Sequence, residues 1–119
     1  MQYDLEERTA KFGEQIILFC KTIQKNEITK PLINQIIRSA TSIGANYMEA
    51  NRGSSKRDFS NKISICLKES NETKHWLRMM AVALEEEKEK CRIFWKEAHE
   101  LTLIFSTILK SCKKSKINE

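Results

Sequence analysis

Turn-making residues are nearly absent from this chain, which has 3 glycines and 1 proline in 119 residues. A sheet protein of this length needs many turns, so the scarcity argues against β architecture. Long apolar runs are also missing. The longest, Ile16-Ile17-Leu18-Phe19-Cys20, falls far short of the roughly 20 residues that cross a membrane. The opening Met1-Gln2-Tyr3-Asp4-Leu5-Glu6-Glu7 has no basic stretch before an apolar one, so it does not read as a signal peptide. These absences predict a cytoplasmic protein with no membrane partner.

Patterns that carry chemistry are equally scarce. The four cysteines (Cys20, Cys66, Cys91, Cys112) form no CxxC pair, and His75 and His99 lie at no zinc-like spacing from them. Cys66, Cys91 and Cys112 fall on helical seams, where a reduced thiol acts as a small hydrophobe. There is no HExxH, no Gly-rich phosphate loop and no nucleophile elbow. A di-iron four-helix site needs a Glu-x-x-His motif on each of two helices. Glu72-Thr73-Lys74-His75 supplies one, but Lys96 stands at the matching offset from His99. The expectation is therefore no catalytic residue, no metal, no cofactor and no enzymatic activity.

What the chain does have is helical periodicity. Hydrophobic residues make up 40% and charged residues 31%, which suits a folded, helical domain rather than a disordered chain. Leu5, Thr9, Phe12, Ile16, Phe19 and Ile23 step 4-3-4-3-4 along a first helix, with Asp4 and Glu7 as its capping start. Asn26-Glu27-Ile28-Thr29 breaks the pattern. Pro31 suits the first turn of a second helix capped by Thr29 or Lys30. Its seam is Ile33, Ile36, Ala40, Ile43, Tyr47 and Ala50, and Gly53 can supply a left-handed stop.

Ser54 or Ser55 can cap the third helix, with Asp58 well placed for a capping box with Ser55. Its seam is Phe59, Ile63, Cys66, Ser70, Thr73, Leu77, Met80 and Leu84. The fourth shows Cys91, Phe94, Ala98, Leu101, Phe105, Ile108 and Cys112. The seam phase continues through Glu87, so pattern alone also allows one helix of about 85 Å from Ser55 to Cys112. Against that, Glu85-Glu86-Glu87-Lys88-Glu89-Lys90 has no apolar anchor, and folding back buries both seams within one chain. The spacing predicts helices over about 4–25, 31–51, 55–84 and 89–113. The fold class is all-α: an up-down-up-down antiparallel four-helix bundle, one domain over 1–119.

A polar line precedes the second seam by one position: Ser39, Ser42, Asn46 and Glu49. Lys62, Glu69 and Glu72 precede the third seam in the same way, and Ile65, Trp76 and Met79 extend that line. The two lines could join between the helices or face another subunit. The carboxylates have Arg38, Lys62 and Lys68 as ready partners. Trp76 reads as a core or interface anchor rather than a base-stacking platform. Gly44 is a helical glycine, which costs about 1 kcal/mol relative to alanine and so implies a close helix approach or a kink.

The net charge is +5 and the sequence pI near 9.1, which permits a polyanion partner without requiring one. Basic residues cluster at Arg52 to Arg57, at Lys88 to Arg92 and at Lys110 to Lys116. An antiparallel bundle puts the first and third clusters at one end, where they could make a phosphate-binding patch or simply a solvated face.

The run Arg38-Ser39-Ala40-Thr41-Ser42-Ile43-Gly44-Ala45-Asn46-Tyr47-Met48-Glu49-Ala50 resembles the signature of bacterial four helix bundle proteins, also called 23S ribosomal RNA intervening-sequence proteins. Ser55 to Phe59, Lys62 to Ser70, Glu72 to Leu77 and Glu100 to Phe105 with the basic tail are similar to that family too. The resemblance covers nearly the whole chain. Two departures stand out: Cys66 sits where an alanine looks usual, and Glu85 to Lys90 lacks turn residues.

The resemblance implies an up-down bundle that assembles into a homo-oligomeric ring, most often a pentamer. Related accessory variability proteins of diversity-generating retroelements are basic pentamers that bind nucleic acid and a reverse transcriptase. A non-enzymatic accessory protein binding RNA or DNA is therefore the leading expectation, encoded in or near a ribosomal RNA intervening sequence or mobile element. A reverse transcriptase or another neighbouring gene product would be its protein partner. Arg52, Lys56, Arg57, Lys110, Lys113 and Lys114 would contact phosphates. Arg38, Asn46, Glu49, Lys62, Glu69, Glu72 and Trp76 would order the helices or a subunit interface, with Ser39, Ser42 and Gly44 as close-packing positions. The alternative is a structural protein–protein interaction module with no nucleic-acid role.

Overall fold

The computed structural model describes residues 2–53 and 55–117, with side chains at 5–53 and 55–114. Four helices follow one another: α1 (Gln2–Lys21), α2 (Thr29–Asn51), α3 (Lys56–Ala83) and α4 (Lys88–Ile117), with a single 3-10 turn over Glu85–Glu87. They pack as an antiparallel four-helix bundle, and no strand occurs among the described residues. The seams explain why. All six residues of the first seam are buried, the last of them, Ile23, just beyond α1, as are all six of α2. Ile63, Cys66, Leu77 and Met80 of α3 meet Cys91, Ala98, Leu101 and Phe105 of α4 in the same core.

Helix ends differ from the sequence expectation where capping is not local. Asp4 does not cap α1, because the helix already runs at Gln2, and the Asp4 side chain lies outside the described residues. α1 ends at Lys21 rather than near residue 25. The N–H groups of Thr22 and Ile23 fall back on the carbonyls of Phe19 and Cys20 at 3.0 and 3.2 Å, tightening the last turn. α2 starts at Thr29, and neither Thr29 nor Lys30 caps it. The Asn26 Oδ1 accepts from the N–H groups of Ile28 (2.9 Å) and Thr29 (2.8 Å). The buried Thr29 hydroxyl donates to the Gln24 carbonyl at 2.7 Å and accepts from the Asn26 N–H at 3.0 Å. One asparagine thus satisfies two of the orphan donors that a cap at the helix edge would take.

The Gly53 expectation is overturned: none of the glycines has a positive φ. α2 ends instead through i→i+3 bonds, Arg52 N–H to Glu49 O (3.1 Å) and Gly53 N–H to Ala50 O (3.2 Å). Ser55 has the extended φ of −144° that a cap needs, and its Oγ accepts from the Asp58 N–H at 3.1 Å. The continuous long helix does not form. Leu84 leaves helical geometry (φ −132°, ψ 86°), and the chain reverses over Glu85–Glu87. Half-buried Leu84 and buried Cys91 anchor the two sides of that reversal in the core.

Gly44 is explained by close approach rather than by a kink. A Cβ there would lie 3.3 Å from the Thr9 carbonyl oxygen and 3.4 Å from the Ala10 nitrogen, so α1 passes backbone to backbone across α2. Gly13 returns the contact, with its nearest neighbour the Thr41 Cα at 3.5 Å. By contrast, α4 meets α1 through long side chains: Phe94 packs on Phe12 and Phe19 with ring centroids 6.4 and 5.3 Å apart.

Candidate nucleic-acid interface

The antiparallel order brings the end of α2, the start of α3 and the end of α4 to one end of the bundle. Register confirms the placement of these segments: Tyr47 of α2 packs on Phe105 of α4 at 6.0 Å. Arg52 and Lys110 each follow those aromatics by about five residues, roughly 7 Å of helical rise. Arg52, Lys56, Arg57, Lys110, Lys113 and Lys114 are all exposed there. Lys88 to Arg92 begins α4 and so lies at the opposite end, where Arg92 approaches Glu89 at 3.6 Å.

The paired polar lines meet within the chain. Arg38 reaches across from α2 to α3, donating through Nη2 to Glu72 at 2.6 Å and through Nη1 to Glu69 at 3.2 Å. Its Nε donates to Gln35 at 3.1 Å. These carboxylates hold the Arg38 guanidinium above its ordinary pKa, Glu72 contributing most. Glu69 is 8% exposed and depends on that partner. At the adjacent positions, toward the core, the hydroxyls of Ser39 and Thr73 are 2.8 Å apart and fully buried. Lys62 and Glu49 pair at 2.9 Å toward the basic end.

The rest of the line does not cross helices. Asn46 donates to the Ser42 carbonyl and hydroxyl, both at 2.9 Å, on its own helix. Lys68 is exposed and takes no part in these pairs. Trp76 is half-buried against the core and edge-on to His75 at 4.9 Å. Its indole N–H is buried and has no partner among the described residues. The Glu72-x-x-His75 motif is spent on these contacts. Among the described residues no group of His, Cys, Asp and Glu is arranged to hold a metal.

Two side-chain clusters escaped the sequence reading. Arg8 on α1 clamps Glu97 on α4 through two hydrogen bonds of 2.7 Å each, with Glu100 at 3.5 Å. That pair holds the guanidinium above its ordinary pKa, chiefly through Glu97. On the far side, Lys74 of α3 donates to the His99 Nδ1 at 3.0 Å and lies 5.0 Å over the Trp95 ring, which stacks on His99. An ammonium can only donate, so the His99 Nδ1 is the acceptor. A signal for the first cluster existed. Arg8 and Glu97 each precede a seam residue by one, the offset already seen on α2 and α3.

The cysteines are free and hold no ligand geometry. Burial pushes the thiols of Cys20 and Cys91 up to about 11 and that of Cys66 up to about 12. Such thiols stay protonated and act as packing atoms. No described helix is long and apolar enough to cross a membrane.

Comparison with known proteins agrees with this architecture. No curated protein matches the chain. A solved structure from Bacteroides thetaiotaomicron, a protein of unknown function from the S23 ribosomal protein family, superposes with a TM-score of 0.83. The two share 31% identity over 92% of this chain and 99% of that one. The family model described as 23S rRNA-intervening sequence protein matches residues 1–102. The chain belongs to the 23S rRNA-intervening sequence protein family.

Proposed function

We propose that the protein is a non-enzymatic, oligomeric accessory protein that binds structured RNA or DNA through the basic end of its bundle. The observation that carries this reading is the gathering of Arg52, Lys56, Arg57, Lys110, Lys113 and Lys114, all exposed, at the end shared by α2, α3 and α4. Phosphate binding needs such a one-sided cluster, because released counterions supply most of the affinity. Among the described residues the buried side-chain polar groups bond within the bundle, the Trp76 indole N–H excepted. A ring of five copies multiplies the basic ends and turns weak single contacts into avidity. The bundle would act in the cytoplasm, alongside a reverse transcriptase or another protein encoded nearby.

The test is a fluorescence-anisotropy titration of the full chain against a structured RNA and a duplex DNA, at low and at raised salt. Binding that weakens with salt, and weakens further in Lys56→Glu/Arg57→Glu, is the expected result. No binding to either polymer at low salt overturns the nucleic-acid reading. Partners that co-purify unchanged after nuclease treatment would then favour the protein–protein module. Sedimentation velocity checks assembly, five copies of 13.9 kDa giving about 70 kDa.

A further inference from the structure

Between α1 and α4 the surface is left unfilled, with an apolar floor and charged flanks. Two adjoining hollows of about 320 and 370 Å³ share Gln15, Ile93 and Phe94 as lining, and so form one groove. Phe12, Phe19 and Phe94 make its floor, while Leu18 and Ile93 stand on its edges, 60% and 63% exposed. Large apolar side chains left this open beside a groove mark a contact surface. The groove exists because α4 meets α1 through side chains alone, which holds the two backbones apart.

Its charge is one-sided. Arg8 and Glu97 neutralise each other, whereas Lys11 and Lys90 line the groove with no ion partner among the described residues. Two copies placed groove to groove would set apolar edges together but also lysines near lysines, so a two-fold contact is opposed. The complement has to be an apolar knob flanked by carboxylates. This chain carries one. Val82, at the end of α3, is 81% exposed, the highest value among the exposed large apolar side chains. Glu85 and Glu86 follow it, exposed and with no ion partner among the described residues.

We propose that the Val82–Glu86 corner of one copy docks into the α1–α4 groove of the next, with Val82 between Leu18 and Ile93 and the carboxylates toward Lys11 and Lys90. The contact joins two different surfaces, so it propagates head to tail and closes into a ring when the rotation permits. Knob and groove both lie away from the basic end, so assembly leaves Arg52, Lys56 and Arg57 uncovered. The proposal rests on the oligomeric part of the proposed function and names the surfaces that would build it.

Sedimentation velocity on the full chain tests it, with circular dichroism reporting helix content. Val82→Glu and Leu18→Glu/Ile93→Glu change exposed sites; each is expected to yield monomer at unchanged helicity. Lys11→Glu/Lys90→Glu is expected to weaken assembly at least tenfold, and adding Glu85→Lys/Glu86→Lys in the same chain to restore it. Assembly that persists in the Val82 and Leu18/Ile93 variants overturns the docking surfaces and leaves oligomerisation standing. A charge reversal that weakens assembly but is not restored also overturns them. A wild-type chain that sediments as monomer overturns both the docking and the oligomeric reading.

Discussion

Ser39 and Thr73 touch hydroxyl to hydroxyl at 2.8 Å, with no solvent exposure, at the contact between α2 and α3. Thr73 donates to Ser39, which in turn donates to the Gln35 carbonyl at 2.9 Å, and the Glu69 carbonyl, 2.8 Å from the Thr73 hydroxyl, is the alternative acceptor for its one proton. Neither side chain is apolar, so both depend on these bonds to sit in a dry core.

Replacing Thr73 with valine keeps the volume but leaves Ser39 one partner short. The expected cost is about 1–2 kcal/mol in a urea melt. The double variant Ser39→Ala/Thr73→Val should cost less than the two single losses added. Additive losses would show that the hydroxyls do not act as a pair.

The two helical glycines should respond with opposite signs. At Gly13 a new methyl meets ordinary contact at 3.5 Å, so Gly13→Ala should stabilise by up to about 1 kcal/mol. At Gly44 it meets the Thr9 carbonyl oxygen at 3.3 Å, a backbone atom that moves only if α1 moves. Gly44→Ala should therefore lose stability despite its better helix propensity, and Gly44→Val should lose about 3 kcal/mol. Thermal melts of the three variants decide it. Stabilisation by Gly44→Ala would remove close packing as its reason.

The buried thiols give a pH dependence with a definite sign. Their pKa rises from the ordinary 9.0 to about 11 for Cys20 and Cys91 and about 12 for Cys66. Below pH 9 both folded and unfolded chains keep the proton, so the contribution is fully present. Above it the unfolded chain ionises first, and stability falls by up to about 1.4 kcal/mol per pH unit per thiol until the folded group also titrates. Urea midpoints from pH 8 to 11 should drop less steeply in Cys66→Ala than in the natural chain. Parallel curves would count against it.

Arg38 carries the other interhelical tie. Arg38→Met keeps the aliphatic stem but strands the largely buried Glu69 carboxylate, and should cost about 2–3 kcal/mol. Adding Glu69→Gln should recover part of that loss, because the stranded charge is gone. A denaturation series across the single and double variants reads this directly, and no recovery would show that Glu69 is not the group left stranded.

Much of this molecule was legible because its information is local or periodic. The 3-4 seams of α1 and α2 name core residues one by one, from Leu5 to Ile23 and from Ile33 to Ala50, and each is buried. The Ser55 cap was readable because its hydroxyl and the Asp58 N–H it accepts from lie within one turn. Asn26 was not, since its capping oxygen works from a loop three residues ahead of α2. The reversal at Leu84 lacks any turn residue. Only the gain from burying the α3 and α4 seams against each other places it there.

The sequence by itself determined which stripe of each helix points inward, because a seam must leave water whichever way the bundle winds. Tertiary structure alone decided which flanks meet. The positions preceding the seams face one another between α2 and α3, giving Lys62–Glu49, with Arg38, one position further from the seam, reaching Glu72, and again between α1 and α4, giving Arg8–Glu97 and the apolar groove. The positions following the seams meet between α1 and α2 at Gly13 and Gly44, and between α3 and α4 at Lys74 and His99. A bundle wound with the opposite hand would bury the same seams and exchange every one of those pairs. Periodicity carries no handedness; the close approach at the glycines and the charges at the flanks do.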